Sequence, residues 1–112
     1  MFPVESKSRR LKDETDVSTL SRGVDGPISY EVEVGSTYPR SDVHGKDERT
    51  YIRVEFGHLD APDVEIRSYE DEYQQKGVEI VLKGEGIHEP TIEALRFIVD
   101  VLEGDLKGIN RH

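Results

Sequence analysis

Four histidines, two acidic clusters and one glycine-rich loop are the parts of this chain whose residue types and spacing could do chemistry. His44 stands among Asp42, Asp47 and Glu48 in SDVHGKDE, and His58 precedes Asp60 and Asp63 in HLDAPD. Imidazole and carboxylate together can hold a hard or borderline cation, or act as a base with its orienting acid. Neither stretch has the His-Glu-x-x-His spacing of a helical zinc site or the regular aspartates and glycine of a calcium loop. Solvated turns are the simpler reading, and no metal or cofactor is expected. An enzyme built here would use His44 or His58 as base and Asp60 or Asp63 as orienter, in a site between residues 35–49 and 57–63. The adjacency of Ser41, Asp42 and His44 adds nothing, because triads are assembled across a fold.

The glycine-rich loop lies in LKGEGIHEPTIEAL, residues 82–95. A dinucleotide cradle needs a third glycine so that backbone amides approach the pyrophosphate. Gly84 and Gly86 fit the first two positions, but position 89 is glutamate. Glu85, Glu89 and Glu93 would set negative charge around any phosphate. The glycines therefore read as a turn that lays a helix back on a sheet.

Charge narrows the partners. The net charge is −9, and residues 1–25 carry as many bases as acids, so the excess lies beyond them. Such a body repels nucleic acid and anionic membranes and attracts basic surfaces. Solubility, or adaptation to salt, is the plainer explanation, since nine arginines outnumber six lysines. No cysteine is present, which excludes disulfides and thiolate metal sites and fits a reducing compartment. The charged start MFPVESKSRRLKDETD does not read as a signal peptide, and no apolar run approaches a membrane span. A cytoplasmic location is expected.

These residues must be positioned by a small set of elements. Residues 1–26 mix Ser, Thr, Asp, Lys and Arg with isolated aliphatics, and are expected as a flexible N-terminal tail. ISYEVEV (28–34) and TYIRVEF (50–56) alternate as half-buried strands. VEIRSY (64–69) reads as a third strand rather than a helix over 63–75, because Val-x-Ile favours strand. VEIVLK (78–83) is the fourth, with Val64, Ile66, Val78, Ile80 and Leu82 expected inward. Tyr51 and Tyr69 beside Arg53 and Arg67 resemble a base-stacking platform only faintly among so many acids. A helix from about Pro90 to Glu103, stopped by Gly104, completes an α+β domain over 27–108. The expected form is an antiparallel sheet of about four strands with the C-terminal helix on one face. Residues 109–112 are a short C-terminal tail.

The helix exceeds what one sheet can cover. On a wheel of about 100° per residue its apolar arc spans roughly 220°, about twice the stripe a sheet-packed helix needs. With Ile92, Leu95, Ile98, Val99 and Leu102 on the sheet, Ala94, Phe97 and Val101 are left on a far flank, with Arg96 and Asp100 as rim charges. That flank would take the tail or the long loop expected over residues 35–49, a second copy, or a foreign protein. Glu65, Glu70, Asp71 and Glu72 form an acidic surface suited to a basic partner. The expected function is a non-enzymatic protein-binding module of the interaction, inhibitor or immunity kind. The enzyme above and a structural subunit of a larger assembly, with the tail as its arm, are the alternatives.

Overall fold

The computed structural model describes residues 2–26, 30–37, 48–57 and 64–104. Six strands and one helix follow in the order β1 (Glu5–Arg10), β2 (Asp16–Val24), β3 (Tyr30–Ser36), β4 (Thr50–Phe56), β5 (Val64–Glu70), β6 (Lys76–Leu82) and α1 (His88–Glu103). β1 to β4 form one antiparallel sheet in chain order, and β5 pairs with β6 as a separate two-stranded sheet. The α+β class is as the sequence predicts, and α1 covers one face of the larger sheet.

Membership of that sheet differs from expectation. Residues 5–24, expected within a flexible tail, supply its first two strands. Their pairing is continuous, from Glu5 opposite Ser21 to Arg10 opposite Asp16. β2 is a central strand, and Val17, Thr19, Leu20, Ser21 and Val24 are all buried. The physical reason is that its neighbours supply what its composition lacks. β3 pairs with it from Thr19 opposite Gly35 to Val24 opposite Tyr30. Leu20 and Val24 then join Val32 and Val34 under the helix.

β1 and β2 are joined by the three-residue loop 12–14, closed by Leu11 N–H to the Thr15 carbonyl at 2.9 Å. β5 and β6 repeat the device at 72–74, closed by Asp71 N–H to the Gln75 carbonyl at 3.0 Å. In both loops the third residue is left-handed without being glycine: Glu14 at φ 68° and Gln74 at φ 65°. This is the three-residue hairpin pattern of a turn followed by a left-handed residue. The Asp13 carboxylate accepts from Thr15 N–H, and that of Asp71 accepts from Tyr73 and Gln75 N–H, locking each turn.

The core lies between α1 and the sheet: Leu20, Val24, Val32 and Val34 meet Ala94, Phe97 and Ile98. Val4, Val54, Phe56 and Val101 pack around its rim. The helix begins two residues before Pro90 and ends at Gly104, which is left-handed at φ 80° and donates to Val101 O. Gly84 and Gly86, at φ 145° and 79°, turn the chain between β6 and α1, with open space where a side chain would stand. Among the described residues no helix is long and apolar enough to cross a membrane.

The smallest dimension of the molecule is 20 Å, against 45 and 43 Å for the others. Two packed layers account for that thickness at about 10 Å each. The β5–β6 hairpin accordingly adds no third layer. Its strands pair along their whole length, Val64 opposite Leu82 to Glu70 opposite Lys76, and make no extended contact with the larger sheet or the helix.

Candidate functional surfaces

The two faces of the larger sheet differ in kind. Opposite α1, Glu33 of β3 is fully buried at the centre of a polar lattice. Arg9 of β1 donates to it twice, at 2.7 and 2.6 Å. Thr19 of β2 donates its hydroxyl at 2.5 Å, and Arg53 of β4 adds two bonds at 3.1 and 2.9 Å. Arg53 also reaches Glu31 at 2.8 Å and Glu55 at 2.9 Å. Strand alternation and register place all of these side chains on one face.

The lattice sets the proton affinities of its members. The side-chain hydrogen bonds from Arg9 hold the Glu33 carboxyl down to about 2, with Thr19 and Arg53 helping and burial opposing. Hydrogen bonding to Glu31 raises Arg53 against the opposing effect of burial, and Glu33 raises Arg9 in the same way. The arrangement stores charge without freeing it. Every oxygen of Glu33 is occupied, so the lattice braces the sheet. The arginine stems roof this face in place of a packed layer. Tyr51 and Arg53 belong to this sheet, while Tyr69 and Arg67 belong to the hairpin, so no shared stacking platform forms. Arg67 is paired with Glu79.

The helix presents a different side to the sheet than its wheel suggests. Ala94 and Phe97 are 4% and 5% exposed, and Ile98 packs beside them. Val101 is partly buried against the same cluster. The expected far flank is therefore the core face, turned by about one residue's 100°. An apolar arc of that width can be seated on either half. The Phe97 ring seats among the β-branched and leucine side chains of β2 and β3, with small Ala94 beside it. Arg96 is exposed and Asp100 half-exposed, both along a shallow groove shared with Arg22, Asp25 and Glu93. The surplus apolar residues are now Leu95, Val99 and Leu102, exposed at 57%, 49% and 40%.

The hairpin carries the second uncovered face. Register puts Val64, Leu82, Ile66, Ile80, Ser68 and Val78 together on one side. Ile66, Val78 and Ile80 are 59%, 61% and 45% exposed. All were expected inward, and their alternation is that of a half-buried strand. What the alternation does not contain is the layer meant to cover them. On the other side, Tyr69 lies across Gly77, and Glu65 pairs with Lys83.

The acidic surface divides accordingly. Glu65 is already ion-paired, Asp71 is bound into its turn, and Glu70 and Glu72 stand exposed near the tip. His44, His58, Asp60 and Asp63 lie outside the described residues, as do Asp42 and Asp47. Among the described residues no three metal-binding side chains converge. No protein-family model matches the chain, and no curated protein and no solved structure matches it.

Proposed function

We propose that this chain is a non-enzymatic protein-binding module whose contact surface is the apolar side of the β5–β6 hairpin together with the outer flank of α1. The observation that carries this reading is the exposure of Ile66, Val78 and Ile80 on one face of an otherwise well-paired hairpin. An isolated two-stranded hairpin is at best marginally stable in water, and three strands or a covering layer are what normally secure one. Contiguous exposed apolar side chains on soluble proteins mark contact sites. Leu95, Val99 and Leu102 extend the same character onto the helix, with Arg96 as a rim charge. The acidic tip at Glu70, Asp71 and Glu72 would steer the approach of a basic partner.

A photo-crosslinking residue placed singly at positions 80, 99 and 12 tests this in the cell of origin. Positions 80 and 99 are expected to give discrete protein adducts, and exposed Lys12 in the β1–β2 turn none. Absence of adducts at 80 and 99, or equal adducts at all three, would reject the module.

A further inference from the structure

We infer that the partner of this surface is a second copy of the same chain, joined by reciprocal exchange of hairpins, each arm lying across the outer flank of the other protomer's helix. This inference rests on the reading of the hairpin and helix flank as a contact surface, and it names the occupant.

Among the described residues, each chain presents two uncovered apolar faces. The arm offers Ile66, Val78 and Ile80, and the helix offers Leu95, Val99 and Leu102. Each face lacks what the other supplies. Their dimensions match: the seven-residue strands of the arm run about 23 Å. The sixteen-residue helix runs about 24 Å. Both lie on consecutive elements, separated only by residues 83–87. The arm makes no extended contact with the helix of its own chain. A two-fold axis makes the two contacts identical, so one complementarity is used twice and no sticky face remains to propagate a fibre.

Charge favours the same occupant. A body of net charge −9 opposes a second copy unless the approaching element is neutral. On its apolar side the arm is neutral: the charged residues there are Glu70 and Lys76, which stand opposite one another. Arg67 pairs with Glu79, and Lys83 with Glu65, on the side away from the apolar face. Asp71 and Glu72 lie beyond the paired strands. A foreign basic protein would find its complement at the tip, not along this face. A hairpin that needs covering at all times is also best served by a partner made whenever it is made.

Two variants test the exchange by charge complementation. The arm variant is Val78→Lys with Ile80→Lys, and the helix variant is Leu95→Glu with Val99→Glu. Light scattering of the purified full-length native chain is expected to give twice 12.7 kDa. Each variant alone is expected to give one unit, because both of its contacts set charge against an apolar face. An equimolar mixture is expected to regain the dimer, since one contact then pairs lysines with glutamates and the other is native. A native monomer up to about 100 μM rejects the proposal. A native dimer whose mixed variants stay monomeric rejects arm-on-helix exchange.

Should a variant unfold, the crosslinker at position 80 decides instead, in an equal mixture of ¹⁴N and ¹⁵N chains. Mixed-isotope peptides joining 80 to the 95–102 segment support the exchange, and same-isotope peptides alone reject it. In the cell, a heterologous adduct at 80 and 99 would reject the second copy and leave the binding module standing. No adduct would end both.

Discussion

The guanidinium of Arg9 closes on the carboxylate of Glu33 with two hydrogen bonds, Nε to Oε2 at 2.7 Å and Nη2 to Oε1 at 2.6 Å, reaching over β2 from β1 to β3. Bidentate, charge-assisted pairs of this kind are the strong ones. With Thr19 on β2 and Arg53 on β4 also donating, one buried carboxylate ties together all four strands of the sheet.

That carboxylate makes stability depend on acid. The ordinary value of 4.5 is depressed to about 2 in the fold, so the unfolded chain takes up the proton first as pH falls. The contribution is complete above pH 4.5 and is lost as pH drops toward 2. Its size is on the order of 3 kcal/mol for a buried group so shifted. Asp13, also held to about 2, chiefly by the Arg49 hydrogen bond, loses its contribution as pH falls from 3.8 toward 2. Glu33→Gln is expected to be less stable than the native chain at pH 7, with the gap closing toward pH 2. Denaturant titrations at several pH values check this, and a gap independent of pH would refute it.

The orientation of α1 separates two sets of apolar residues. Phe97→Ala is expected to cost about 3–5 kcal/mol by emptying the core. Leu95→Ala and Val99→Ala are expected to cost under about 0.5 kcal/mol when measured on dissociated chains. Urea unfolding at sub-micromolar concentration compares them. A large loss at Val99 with a small one at Phe97 would place the helix the other way round.

Two glycines in strands are expected to respond differently. A side chain at Gly35 would run into the backbone carbonyl of Ser18 in the neighbouring strand. Gly35→Ala is therefore expected to cost about 2 kcal/mol or more, since a central strand must shift. At Gly77 the obstacle is the ring of Tyr69, which is 50% exposed and free to swing aside. Gly77→Ala is expected to cost under about 1 kcal/mol. Thermal melting of the two variants side by side is the check, and equal losses would contradict the difference.

The left-handed loop residues invite stabilisation. Glu14 holds φ at 68° without being glycine, a conformation that costs a branched backbone about 1–2 kcal/mol. Glu14→Gly relieves that at an entropic cost of about 0.4–1 kcal/mol. The net gain is expected near 0.5 kcal/mol, read as a melting point higher by a few degrees. A lower melting point would show that the Glu14 side chain contributes something the turn geometry does not.

Where periodicity is local, the sequence shows the element. ISYEVEV overlaps β3 over 30–34, TYIRVEF is β4, VEIRSY and VEIVLK mark β5 and β6, and the stop at Gly104 is readable as a glycine cap. β1 and β2 escape because their apolar residues do not keep one phase. Val17 lies on the polar face, while Leu20 and Val24 lie under the helix. What secures the other rows of β2 is a glutamate 14 residues from Thr19, which no window along the chain connects. The helix wheel shows an excess of apolar surface but not which half the sheet selects. That choice depends on how Phe97 and Ala94 fit side chains supplied by β2 and β3. The exposure of the hairpin is hidden for the opposite reason: a strand pattern states that a face should be covered and is silent on what covers it.

Among the described residues, every ladder joins strands that follow one another along the chain. A growing polypeptide can thus zip β1 to β4 in the order they are made, with no strand waiting for a distant mate. The helix is made after all of them, and until it docks, Leu20, Val24, Val32 and Val34 form an open greasy floor. Birth order therefore creates a period of risk in which the nascent sheet is complete but uncapped, and the polar lattice on its reverse keeps that sheet in shape until the lid arrives.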